Sequence, residues 1–88
     1  MATEQELVTH WIEPHPHKAG LAEVVLAEYY VPIWALIGTL RMVDGDIAEV
    51  AEGYDLPREA VEAAVAYYQQ HQEVIDDRLT ANAGSSVS

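Results

Sequence analysis

Ile47-Ala-Glu-Val-Ala-Glu-Gly-Tyr-Asp-Leu-Pro-Arg-Glu-Ala-Val-Glu-Ala-Ala-Val65 is the stretch whose reading decides the fold. Ile47, Val50, Ala51 and Tyr54 recur at the i, i+3, i+4, i+7 spacing of one buried helical face. Asp55-Leu56-Pro57 interrupts them, because a proline disfavours helical geometry at the residue before it. The same proline suits the first turn of a following helix, where its missing N–H costs nothing. Val61, Ala64, Val65 and Tyr68 then resume the period. Ala51 is small where two helices would cross, and Leu56 would plug the gap between them. Val50, Tyr54, Val61 and Ala64 are expected to face a shared core. The stretch therefore predicts a helix-turn-helix, with Arg58, Glu59, Glu62 and Ala63 at the exposed early positions of the helix that would enter a DNA groove. The plainer alternative is an αα-hairpin in a small core.

Working outward, Asp46 can cap the second helix, with Glu49 three positions on, close to a capping box. Asp44-Gly45 is a turn signal. Pro32 opens an earlier helix that buries Ile33, Leu36, Ile37 and Leu40. Leu7-Val-Thr-His-Trp-Ile12 mixes β-branched and aromatic residues, which favours a strand. The prolines and glycine of Glu13-Pro-His-Pro-His-Lys-Ala-Gly20 break it. A second β-rich piece lies within Leu21 to Val31, although Leu21-Ala-Glu-Val-Val-Leu-Ala-Glu28 also reads as helical. The expected fold is mostly α: a three-helix helix-turn-helix bundle with a short N-terminal β hairpin. One domain spans residues 1–80, with the hairpin at 7–31 and helices at 32–42, 46–54 and 57–79, the last either unbroken or bent near Gln69–Gln72. Residues 81–88 read as a disordered tail.

Four basic residues stand against fifteen acids in a chain of 88, a formal net charge of −11. Such a surface repels phosphates and anionic lipids and attracts a basic protein. Half the residues are apolar, so the composition is not that of a disordered chain. With no cysteine there is no disulfide or thiolate metal site, which fits a reducing, cytoplasmic setting. The apolar run from Leu21 to Leu40 is broken by Glu23, Glu28 and Pro32, and no stretch reaches the roughly 18 apolar residues of a membrane span. The first residues lack the basic start of a signal peptide.

Few residues suggest chemistry. His10, His15 and His17, with Glu13 as a fourth donor, invite a zinc reading, which needs four ligands in a tetrahedral site. The plainer reading is unliganded imidazoles in an exposed loop. His71 between glutamines is expected to be solvated, as are Asp76 and Asp77, which point in different directions on a helix. No phosphate-binding loop, dinucleotide fingerprint or Ser-His-Asp grouping is present. Neither an enzyme nor a cofactor is expected. Tyr29, Tyr30 and Tyr68, with Ile75 and Leu79 beyond the helix-turn-helix core, suggest an apolar surface that a second copy would cover, making the chain a homodimer.

Tyr30-Val-Pro-Ile-Trp-Ala-Leu-Ile-Gly-Thr-Leu40, Gly45-Asp-Ile-Ala-Glu-Val-Ala-Glu-Gly-Tyr54 and Leu56-Pro-Arg-Glu-Ala-Val-Glu-Ala-Ala-Val-Ala-Tyr-Tyr68 together resemble the bacterial domain-of-unknown-function family 433. The resemblance covers roughly residues 20–75. Where that family has Gly-Thr-Arg ahead of its Val-Pro, Glu28-Tyr-Tyr30 stands here. The resemblance implies a short β element followed by a helix-turn-helix, and a role similar to VapB-type antitoxins of toxin–antitoxin systems, which are paired with a PIN-like ribonuclease toxin. It brings no catalytic residues. The first functional expectation is thus a protein-binding module whose acids Glu49, Glu52, Glu59 and Glu62 meet a basic toxin. The second is a homodimeric transcriptional regulator contacting DNA through Arg41 and Arg58. DNA binding would be weak unaided, because a typical binder neutralises some six to ten phosphates. The third is a structural dimer with no nucleic-acid role.

Overall fold

The computed structural model describes residues 3–87. Among them the chain forms five helices and one small antiparallel sheet. In order these are α1 (Glu4–Trp11), β1 (Ile12–Glu13), a 3-10 turn (Leu21–Glu23), β2 (Val25–Leu26), α2 (Ile33–Met42), α3 (Ile47–Tyr54), α4 (Arg58–Gln70) and α5 (Gln72–Val87).

Two helices joined by a tight turn, α3 and α4, form where the sequence places them. The Asp46 side chain accepts the Glu49 N–H at 3.1 Å and starts α3. Asp55 adopts the left-handed conformation, φ 57° and ψ 48°, and the Leu56 N–H reaches back to the Ala51 carbonyl at 2.8 Å. This is a Schellman closure with aspartate where glycine is usual. The turn before it repeats the device: Asp44 is left-handed at φ 55°, and the Gly45 N–H donates to the Leu40 carbonyl at 2.8 Å. Leu56 is buried in the turn. It joins Val50, Ala51, Val61 and Ala64 in one core with Ile33, Leu36, Ile37 and Leu40 of α2. Tyr54 departs from expectation: it lies at the surface, with its hydroxyl 2.9 Å from Thr39 Oγ1.

Three expectations need correction. The hairpin over 7–31 shrinks to two strands of two residues, paired Ile12 with Leu26 and Glu13 with Val25. Leu7 to Trp11, expected as strand, belongs to α1. The cause is local. The Thr3 side chain caps the Glu6 N–H and the Glu6 side chain caps the Thr3 N–H, a complete capping box. β propensity, being largely a statement about packing context, yields to it.

The helix expected over 57–79 divides at His71, φ −136° and ψ 43°, within the segment where a bend was one of the two alternatives. The chain turns there, and α5 packs back on α2 and the 3-10 turn. Gly38 permits the approach, since a Cβ at that position would stand 3.3 Å from Leu79 Cδ2. The third correction concerns the tail. Backbone helix continues through 81–87, and Ser88 lies outside the described residues.

Candidate functional site

α4 is the helix that a DNA-binding reading would send into a groove. Its surroundings determine what it can present. Ala60, Val61, Ala63, Ala64, Ala66 and Tyr67 are all buried. Ala63, expected at an exposed position, is fully enclosed. α1 lies along α4, and Ala66, one turn after Ala63 on the same flank, borders Leu7 of α1. Small side chains on that flank let the two helices approach closely. Tyr67 is anchored from the other end, its hydroxyl donating to the Leu21 carbonyl at 2.5 Å. Burial pushes the Tyr67 phenol above the ordinary tyrosine range.

Besides Glu59, Tyr68 and Gln70, what remains accessible on α4 is a stripe at i, i+4, i+7, i+11: Arg58, Glu62, Val65 and Gln69. Arg58 is 67% exposed and sits 3.7 Å from Glu62, a loose i,i+4 ion pair of the kind worth about 0.3–0.5 kcal/mol. Glu59 is exposed in the first turn of α4, and Glu49 and Glu52 are exposed on α3. The four acids named from the sequence therefore all reach the surface on the helix-turn-helix, Glu62 less fully than the rest.

Arg41 stands elsewhere and is engaged. Its guanidinium donates to the Tyr68 hydroxyl at 2.9 Å and pairs with Asp76 of α5. The Tyr68 hydroxyl in turn donates to the same carboxylate at 2.8 Å. The hydrogen bond to Tyr68 is the main cause that raises the Arg41 pKa; burial opposes it, and the hydrogen bond and charge of Asp76 add to the rise. Arg41 and Arg58 thus share no site, and Arg41 meets an internal carboxylate where a phosphate was expected. Asp76, expected to be merely solvated, holds α5 to α2 and α4 through this network.

The dimer candidates separate into two groups. Ile75 is 0% exposed within a single chain, and Leu79 packs against the same core. The cover expected from a second copy is supplied for Ile75 within the chain itself, while Leu79 stays half-buried. Tyr68 is half-buried in the Arg41–Asp76 network. Tyr29 and Tyr30 are exposed, Tyr30 to 62%. Tyr29 stacks over Trp11 with ring centroids 6.4 Å apart. Trp11 Nε1 is buried without a hydrogen-bond partner.

The imidazoles do not converge. His10 belongs to α1, with its ring edge-on to Trp11 at 5.0 Å. His15 and His17 lie in the following loop with ring centroids 6.1 Å apart. His15 Nδ1 accepts the backbone N–H groups of His17 and Lys18, at 2.9 and 3.1 Å. Among the described residues no group of three or more His, Asp or Glu side chains is placed to hold a metal ion. No helix among them is long and apolar enough to cross a membrane.

One feature escaped the sequence. Between α2, α3 and α4 lies a depression of about 370 Å³ lined by Ile37, Leu40, Ile47, Val65 and Tyr68. A second, of about 240 Å³, adjoins it across Ile47 and Val65 and is closed by Leu7 of α1. The half-burial of Ile47 and Val65 was legible only as membership of a helical face. Which member stays uncovered depends on where α1 packs.

No family model, curated protein or solved structure matches this chain.

Proposed function

We propose that this chain is a non-enzymatic protein-binding module of the antitoxin kind, whose acidic helix-turn-helix surface covers a basic protein. One observation carries the reading. The accessible stripe of α4 offers a single arginine, already beside Glu62, with Glu49, Glu52 and Glu59 exposed on the same two helices. Duplex DNA carries about one negative charge per 1.7 Å of axis, so this surface opposes it. A cationic protein surface meets the same charges favourably, and electrostatic complementarity raises the association rate as well as selecting the partner. The family resemblance gives the partner class, a PIN-like ribonuclease, and a bacterial cytoplasm as the setting.

Homodimerisation enters this proposal through Tyr29 and Tyr30, because Ile75 and Leu79 are occupied within the chain.

Co-expression with the product of the adjacent gene, followed by size-exclusion chromatography, tests the reading. A complex that dissociates with added salt and with Glu49→Lys/Glu52→Lys supports it. No complex with a basic neighbour, together with tight binding of duplex DNA lost in Arg58→Ala, moves the chain to the transcriptional-regulator reading.

A further inference from the structure

We infer that the apolar groove bounded by α1, α2, α3 and α4 is a docking site for an amphipathic helix of a basic partner protein. This inference rests on the protein-binding reading above and specifies which part of the partner is held. The two depressions share Ile47 and Val65 and so form one trough, floored by Ile37, Leu40 and Tyr68 at one end and walled by Leu7 at the other. It follows α4 from Glu62 to Gln69, about 10 Å at 1.5 Å per residue. That length accommodates side chains at i, i+4 and i+7 of a visiting helix, the anchors by which helices occupy hydrophobic grooves.

The rim identifies the occupant. Asp44 borders one depression, and Glu4 and Glu62 border the other. The one guanidinium on the trough, Arg41, is paired with Asp76. The trough is therefore apolar within and acidic around, the complement of a helix with leucine-like residues on one face and lysine or arginine beside them. A second copy of this chain is a poor match. It would bring a further net charge of −11 and the same acidic rim against the first, and like charges facing across an interface oppose association.

The test uses the full-length chain and a synthetic helix of about 18 residues, with leucines at i, i+3, i+4 and i+7 and lysines elsewhere. Two controls share its design: a scrambled peptide of equal charge and composition, and a version with glutamates for lysines. Fluorescence anisotropy gives affinity, and amide chemical shifts give location. The amphipathic basic peptide is expected to bind and to shift resonances of Ile47, Val65 and Leu40. Scrambling it, or introducing Ile47→Lys or Val65→Lys, should each weaken binding about tenfold or more. Met42→Lys, at an 84% exposed position that does not line the trough, should leave it unchanged. Circular dichroism checks that both groove variants remain folded, and two opposing walls are probed so that one misfolded variant does not decide the outcome.

Equal binding of the scrambled peptide would mean charge alone and would overturn the inference. So would groove variants that bind normally, or that convert a dimer to monomers in sedimentation. If a basic neighbour binds the Val65→Lys chain as tightly as the wild type, the groove is dispensable while the acidic-face reading stands. If the peptide docks in the groove but no basic protein partner is found, the groove stands and the antitoxin reading falls.

Discussion

The helix-turn-helix and the two helices that wrap it are held by different forces. Within the first, Val50, Leu56, Val61 and Ala64 meet Leu36 and Ile37 in a dry core with small residues at the crossing. The wrapping helices rely more on single attachments. α1 has no fully buried residue and packs through half-buried Val8 and Trp11, with its start fixed by the Thr3–Glu6 box. α5 inserts Ile75, packs half-buried Leu79 on the same core, and is further tied by charge. Arg41 and Tyr68 hold Asp76, while Arg78 donates to Glu23 at 2.8 Å and lies over the Trp34 ring at 4.3 Å. The central unit is therefore expected to unfold cooperatively, with its wrapping able to loosen separately. The wrapping nonetheless decides which face of α4 meets a partner.

The largest effect should come from the core. Leu36→Ala, at a fully buried site of α2, is expected to destabilise the whole domain by about 3 kcal/mol in chemical denaturation. A loss confined to α5 would break the distinction between centre and wrapping. Next comes the half-buried Arg78–Glu23 link, whose two side chains are 24% and 19% exposed. Arg78→Ala should cost about 1–2 kcal/mol, because it removes a charged hydrogen bond and the cation over Trp34. Arg41→Ala, losing a pair about half exposed on both sides, should cost less than about 1 kcal/mol. The reverse order would place the main attachment of α5 at Asp76 instead of Glu23.

Thr3→Ala removes the α1 cap and should cost about 1 kcal/mol. The measurement that sharpens this is hydrogen exchange: amides of Leu7 to Trp11 should exchange faster while those of α3 keep their protection. Equal acceleration everywhere would make α1 part of the cooperative core.

The smallest effect concerns Tyr67, whose folded pKa is raised by burial. A raised acid binds its proton more tightly when folded. Its contribution is therefore fully present below the unfolded value of about 10 and is lost as pH rises through the folded value. Ultraviolet titration should show one tyrosine ionising late, and stability declining over that alkaline range. Tyr67→Phe should remove the late step.

The central turn was legible because Leu56-Pro57 interrupts a clear helical period, and backbone chemistry at a proline is local. α1 was not read, although Thr3 and Glu6 carry its cap. The β-branched and aromatic content of Leu7 to Ile12 pointed to a strand, and the capping box together with the small flank of α4 makes helix the better outcome. Ile75 looked uncovered because the turn at His71 has no glycine or proline to announce it. The acids of the candidate surface were readable from their period. The Arg41–Asp76 pair was not, since its partners are 35 residues apart and meet only once α5 has folded back. The groove was hidden for the same reason: sequence shows which positions are apolar, and tertiary packing shows which remain uncovered.

Anisotropy of a labelled random-sequence DNA duplex, titrated with this chain at low and then physiological salt, tests most directly whether the clad, acidic α4 serves nucleic acid. The account predicts no saturable binding at either salt concentration. Submicromolar affinity with a steep salt slope, lost in Arg58→Ala, would contradict it.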